Sequence, residues 1–208
     1  VLKEGKELVF TCPEKYTRRK DAVAARNRIA VSRVATVIQA ERKETVEEPP
    51  LLYDLASLQK EANLRTGLTA EQTASILQRL YEEGYISYPR TSCRHIREDM
   101  LEKMPALLSL LKDNPRLARH AEALEGKTLP TRTADDGKVN GHHAIIITES
   151  VPGKLPLDEQ IIYWMIAGRM LEAFSGDCTG EDVSVRLECG GIRFEAGYRR
   201  RVHAGWKG

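Results

Sequence analysis

Between Asp54 and Glu83 the apolar residues recur at helical spacing in two runs, separated by a glycine. Leu55, Leu58, Ala62 and Arg65 fall on one stripe, Asp54 stands where a capping carboxylate belongs, and Gly67 follows as a terminator. Thr69 opens the second run as a capping box, with Gln72 three residues on. Its stripe is Ala70, Thr73, Ile76, Leu77 and Leu80, and Gly84 stops it. A third stripe, Met100, Leu101, Met104, Leu107, Leu108 and Leu111, predicts a helix over 97–112 whose methionines fill core. A polar loop follows at 132–140, with Asp135-Asp136-Gly137 as its turn signal. Ala144-Ile145-Ile146-Ile147 then reads as a short buried strand, and Ile161, Ile162, Met165, Met170, Leu171 and Phe174 predict a helix from an Asp158 cap to about 174.

The two ends of the chain are patterned differently. Residues 7–11 suit a strand, 20–28 a short helix, and 29–40 a long strand with Val34, Thr36 and Ile38 on one face. The charged stretch 41–44, followed by Glu47-Glu48-Pro49-Pro50, has linker composition and marks a domain boundary. Towards the other end Val183, Val185 and Leu187 alternate in one strand. Ile192, Phe194, Ala196 and Tyr198 alternate in the next, joined to it through Gly190-Gly191. The fold class expected is α+β: a discontinuous strand-rich domain over 1–50 and 151–208, interrupted by a mostly helical domain over 51–150. Helix, glycine turn, helix and a short β-prone segment, 85–88, outline either a winged-helix unit or an ordinary helical hairpin.

Charge narrows the choice of partner little. Lys and Arg number 32 against 30 acidic residues, a net +2, so any attraction to nucleic acid rests on local patches such as Arg90, Arg94, Arg97 or Arg199-Arg200-Arg201. The four cysteines are scattered without a C-x-x-C pair, which argues against a zinc ribbon or redox motif and fits reduced thiols in the cytoplasm. No run approaches the 18 or so apolar residues of a membrane helix. The acidic residues lie in mixed-charge stretches without a D-x-D cluster, so no metal site is expected within the chain. Opening on Val1, the sequence reads as part of something longer.

The candidate chemistry lies in residues 81–95, Tyr-Glu-Glu-Gly-Tyr-Ile-Ser-Tyr-Pro-Arg-Thr-Ser-Cys-Arg-His. Pro89 biases Tyr88 towards an extended backbone and fixes a bend there. Arg90 follows two residues after the phenol, and Thr91 and Ser92 lie just beyond. A phenol oxygen can attack a phosphodiester while a guanidinium holds the phosphate oxygens with paired hydrogen bonds. By spacing alone the stretch fits better a helix-to-loop transition with a buried tyrosine and a surface arginine. His142 and His143 precede the apolar 144–147 segment. Adjacent strand residues face opposite ways, so they do not suit one shared metal. One of them could steady charge on a phosphate oxygen, or serve as a structural hydrogen-bonder.

Leu80-Tyr-Glu-Glu-Gly-Tyr-Ile-Ser-Tyr-Pro-Arg-Thr91 resembles the active-site segment of the type IA DNA topoisomerases, most closely the topoisomerase III branch. Pro49–Asn63 is similar to the segment entering that family's tyrosine-bearing domain, and Gly141-His-His-Ala-Ile-Ile-Ile-Thr148 to its H-H-A-I-I-P-T signature. The resemblance implies that Tyr88 is the nucleophile, with Arg90 and His142 as its catalytic partners, and that Ser87, Thr91, Tyr81 and Arg94 contact or position DNA. It implies cleavage and religation of single-stranded DNA through a 5′-phosphotyrosine, without ATP. It implies Mg²⁺ held by an acidic domain absent from this chain, so that the segment alone is inactive. It places the protein in the cytoplasm, on the nucleoid if bacterial, with the strand-rich domain forming an arch. Ser92 stands where the family has aspartate, and Ile147 where it has proline. Tyrosine recombinases place the tyrosine after a His-x-x-Arg, and relaxases separate their histidines by one residue; neither pattern is present. The non-enzymatic alternative is a winged-helix binding scaffold or a degenerate paralogue.

Overall fold

A computed structural model describes residues 2–3 and 6–208, with side chains from Leu8 onward. The chain divides into two compact units, one formed by residues up to Glu47 with Cys178–His203, the other by Glu48–Asp177 with Ala204–Gly208.

In the first unit β1 (Leu2–Lys3) pairs antiparallel with β2 (Lys6–Glu7). α1 (Arg19–Ser32) follows, and then β3 (Thr36–Glu47), β4 (Cys178–Cys189) and β5 (Ile192–His203) make an antiparallel sheet in the order β3-β4-β5. Three expectations differ from what forms. The strand expected over 29–40 is split, because residues through Ser32 continue α1, where each added residue gains a hydrogen bond from a helix already nucleated. Arg33 then turns the chain with φ 51°. The charged stretch 41–44 is strand rather than linker: it pairs along β4, and Arg42 meets Glu181 at 3.4 Å. The strand expected at 7–11 reduces to β2 and a single bridge between Thr11 and Glu195.

The expected Gly190-Gly191 turn joins β4 to β5, with φ 59° and 72°. Gly190 is needed for a second reason. A Cβ there would sit 2.6 Å from the Arg28 carbonyl oxygen, so α1 can rest on the hairpin end only because that atom is missing. Burial in this unit is slight, resting on Ala25, Cys178, Leu187 and Ile192.

The second unit holds one continuous apolar core. α2 (Leu55–Thr66) and α3 (Ala70–Glu82) form where expected, with both capping boxes present and Gly67 closing α2 at φ 77°. The third stripe does not make one helix. It breaks into 3-10 turns at Glu98–Lys103 and Leu110–Asp113 around α4 (Met104–Ser109). Pro105 explains the break, since it has no N–H to extend a preceding helix and is tolerated only in a first turn. Met104, Leu107, Leu108 and Leu111 are nevertheless buried. α5 (Ala118–Leu124) was not expected.

α6 (Leu157–Ala173) begins after Pro156 rather than at an Asp158 cap, which leaves Asp158 in the first turn. Besides the expected residues it buries Tyr163, Ile166 and Ala167, so it is enclosed on most sides. A helix so enclosed belongs to the core it fills, which is why α6 falls in the helical unit instead of the strand-rich part. Its buried polar groups are paired: Glu159 meets Arg79 of α3 at 2.6 Å. Arg169 meets Glu61 of α2, Glu172 at 2.9 Å and the Leu51 carbonyl, and lies 4.0 Å over the Tyr53 ring. Burial pushes the Tyr53 phenol well above its usual range. Burial also opposes the Glu61 charge, but the Tyr53 hydrogen bond and the Arg169 and Arg65 charges outweigh it and hold that carboxyl low.

Gly190→Ala is expected to destabilise the protein by about 1–3 kcal/mol, from the positive φ and the contact with the Arg28 carbonyl. Gly197→Ala, whose Cβ would meet the Val183 carbonyl oxygen at an ordinary 3.6 Å, should change little. Urea unfolding of the two variants side by side checks this.

Candidate active site

The site begins at the end of α3. Gly84, at φ 77°, closes the helix with bonds from its N–H to Tyr81 and from the Tyr85 N–H to Leu80, the glycine-dependent helix stop that satisfies the last carbonyls. The chain then swings out as Tyr85-Ile86-Ser87 and runs beside residues 146–148. The Ser87 N–H donates to the Ile146 carbonyl at 2.9 Å, and the Thr148 N–H to the Tyr85 carbonyl at 3.0 Å. The Ser87 hydroxyl donates to the Ala144 carbonyl and accepts from the Ile146 N–H, each at 3.0 Å.

On its other side the same segment meets Tyr53, whose carbonyl accepts from the Ile145 N–H at 2.8 Å. The His95 carbonyl accepts from the Ala144 N–H at 2.9 Å. The expected 144–147 strand is therefore a buried seam with single bridges to several partners rather than a strand in a sheet. Its peptide groups must be satisfied once water is excluded, and three neighbouring segments share that task.

Tyr88 is held half-buried at the end of this seam, with Pro89 buried behind it. The His142 ring lies against it with centroids 4.1 Å apart and planes 34° from parallel. The Tyr81 ring meets it edge-on at 5.5 Å. These contacts fix the ring on two sides without using its hydroxyl, which has no hydrogen-bond partner among the described residues. Arg90 is exposed and forms no ion pair among them either. Ser92, also exposed, places no carboxylate near it.

The other candidates divide by what their side chains touch. The Thr91 hydroxyl is buried and donates to the His142 carbonyl at 3.0 Å, tying the Tyr-Pro-Arg turn to the histidine loop. The Ser87 hydroxyl is spent in the seam. Arg94 donates to the carbonyls of Leu52 at 3.0 Å and Leu51 at 3.3 Å, so its guanidinium anchors the segment entering α2. These three groups hold the site's frame. Tyr88, Tyr81, His142 and Arg90 are the ones left facing outward. His143 has different surroundings from its neighbour, with Nδ1 at 2.7 Å from the Ala144 carbonyl oxygen. The anchoring partners were not readable from the sequence, since each is a backbone carbonyl forty or more positions away.

Among the described residues no three or more His, Cys, Asp or Glu side chains converge as a metal site would require. No described helix is long and apolar enough to cross a membrane.

A fixed phenol with a free hydroxyl, packed against an imidazole and followed two residues on by an exposed guanidinium, has the composition of a nucleophile with charge-stabilising neighbours. A family model described as DNA topoisomerase matches residues 4–208, and the chain belongs to that family, the type IA DNA topoisomerases. It is 36% identical over 165 residues to DNA topoisomerase 1 of Methanothermobacter thermautotrophicus, a span of 79% of this chain and 22% of that protein. It is 33% identical over 177 residues to DNA topoisomerase 3 of Bacillus cereus, covering 83% of this chain and 24% of that one. Full-length topoisomerase I from Thermotoga maritima shares the fold, with a TM-score of 0.64 at 19% identity over 95% of this chain and 32% of its own. The chain thus spans about a quarter of the length of these curated relatives.

Ser87→Ala would leave the buried Ile146 N–H without a partner, and a loss of about 1–3 kcal/mol is expected. Ser87→Thr keeps the hydroxyl and should recover most of it. Thermal unfolding of the pair measures the difference.

Proposed function

We propose that Tyr88 attacks a phosphodiester of single-stranded DNA to form a 5′-phosphotyrosine, that the 3′ hydroxyl leaves, and that its return attack restores the strand. One phosphodiester is exchanged for another, so ATP is not required. The observation that carries this reading is the packing of the Tyr88 ring against His142 and Tyr81 with its hydroxyl free among the described residues, two residues ahead of an exposed Arg90 that has no ion pair among them. A phenol oxygen entering a phosphodiester needs the charge that develops on it stabilised, together with charge on the phosphate oxygens. Arg90 supplies a planar fork for two oxygens. His142, stacked by its face, keeps its ring nitrogens available at the edge, and Thr91 holds its backbone in place. Tyr81 keeps the phenol from rotating away.

The family likeness supports DNA as the polymer, and the α2–α3 pair with the following extended segment serves as a winged-helix-like support for it. The Mg²⁺ implied by the family does not fit the described residues, which offer no cluster for it. We assign it to an acidic domain elsewhere in the whole enzyme and route no step through it here. That enzyme acts in the cytoplasm, in the manner of the topoisomerase III branch. The alternative of a non-catalytic scaffold would leave the free hydroxyl and the unpaired guanidinium without a use.

In an enzyme carrying this segment, Tyr88→Phe should abolish the covalent DNA adduct while unfolding is unchanged, and Tyr81→Phe should retain the adduct. Arg90→Lys should slow cleavage by roughly one to three powers of ten, because lysine keeps the charge but not the fork. Labelled oligonucleotide trapped on denatured protein reads both, and adducts surviving in Tyr88→Phe would refute the assignment.

The 208-residue chain alone should give no adduct with labelled single strands and Mg²⁺, because the metal site and the general acid for the departing hydroxyl are assigned to the acidic domain elsewhere in the whole enzyme. A Tyr88-dependent adduct from this chain alone would show that it needs no other domain.

A further inference from the structure

The strand-rich unit carries a charge concentration that the chemistry at Tyr88 does not use. Residues 14–33 hold seven basic side chains, Lys15, Arg18, Arg19, Lys20, Arg26, Arg28 and Arg33, against Glu14 and Asp21, in a chain whose net charge is only +2. All seven are exposed. Among the described residues only Arg18 is paired, with Asp21 at 2.9 Å. Elsewhere in this unit Arg42, Arg186, Arg199 and Arg200 meet carboxylates across the sheet, while Lys43, Arg193 and Arg201 are single exposed cations on the strands. Arg19, Arg26 and Arg33 recur every seven residues. Two helical turns separate them, roughly 10 Å, so within α1 they share one stripe that Arg33 extends at its end.

Beside that stripe runs an open, mostly apolar groove lined by Cys12, Tyr16, Ala25, Arg26, Ile192 and Phe194. Tyr16 and Phe194 are half-buried, so each presents part of a ring to the groove. α1 buries only Ala25, which makes it a poor contributor to stability for its length. A helix with so little core contact and so many unpaired cations is better suited to meeting a polyanion than to packing. The aromatic groove beside it suits an unstacked base, because stacking on rings next to a backbone-tracking row of cations is how single strands are held without sequence preference.

We propose that α1 and this groove form a second site for single-stranded DNA, with phosphates along Arg19, Arg26 and Arg33 and a base against Tyr16 and Phe194. Charge complementarity selects a polyanion, and the groove's rings select one with bases. The choice of DNA rests on the function proposed above, but the site lies outside the Tyr88 cluster and needs no chemistry there.

The test uses the full chain with Tyr88→Phe, in EDTA, and fluorescence anisotropy of a labelled oligothymidylate across a salt series. Under those conditions no cleavage enters, so failure of this site and failure of the Tyr88 assignment are separately visible. Arg19→Gln/Arg26→Gln/Arg33→Gln should weaken binding at least about tenfold near 50 mM salt. It should also flatten the dependence of log affinity on log salt by about 2, from roughly 0.7 per lost phosphate contact. Tyr16→Leu should weaken binding about fivefold or more with the salt slope kept. Circular dichroism should be unchanged in both, since the arginines are exposed and unpaired and leucine keeps bulk in the groove. Unaltered affinity and slope in the arginine variant, or unaltered affinity in Tyr16→Leu, overturns the proposal. So does displacement by polyglutamate as effective as by unlabelled oligonucleotide at equal charge.

Discussion

The helical unit is organised around one buried, extended segment that has no sheet to belong to. Residues 144–148 run through the core, and every peptide group there must find a partner, since an unpaired buried amide costs as much as several good contacts supply. The partners come from Tyr53, from Tyr85 and Ser87, and from His95. Meeting that requirement brings the loop before α2, the exit of α3 and the loop after Tyr88 to one place. The arrangement of Tyr88 and His142 is a consequence: each is the residue that emerges where a stretch of the seam reaches the surface. Thr91 then fastens the two emerging loops together, so the phenol and the imidazole are held by backbone bonds as well as by their own stacking.

α6 supplies the wall on which this is built. Its apolar side chains are buried on most of its circumference, and Met170 even accepts the Ile147 N–H through its sulfur, at 3.3 Å. The charges it carries inward are not isolated. Arg169 is shared among two carboxylates, a carbonyl and the face of Tyr53, which offsets the cost of removing a guanidinium from water. The same contacts tie α6 to α2 and to the chain entering it. The frame behind Tyr88 is thus stiff, while the groups that face outward are few and unpaired, a division suited to a site whose partner is a charged polymer. The strand-rich unit reverses the balance, with a small buried core, long exposed strands and a helix whose cations, Arg18 apart, have no ion-pair partner among the described residues.

The sequence by itself determined the local elements that rest on short-range chemistry. The Asp54 cap, the Thr69 capping box, the Gly67 and Gly84 stops and the Gly190-Gly191 turn are set by residues within a few positions of one another, and they form as read; Ser57 completes a second capping box at Asp54. Three ordered motifs of one family pointed to Tyr88, Arg90 and His142, and the fold brings the Tyr88 and His142 rings into contact. What the tertiary structure decided depends on distant partners. Residues 41–44 look like a linker until β4 stands beside them and pairs their backbone. Residues 29–32 have strand composition, but a helix already under way claims them. α6 shows an amphipathic stripe in sequence, and only the surrounding core reveals that its other faces are covered as well. The family resemblance implied that Thr91, Ser87 and Arg94 contact or position DNA. Their side chains are turned to backbone carbonyls brought close by the fold, and no spacing along the chain encodes that proximity.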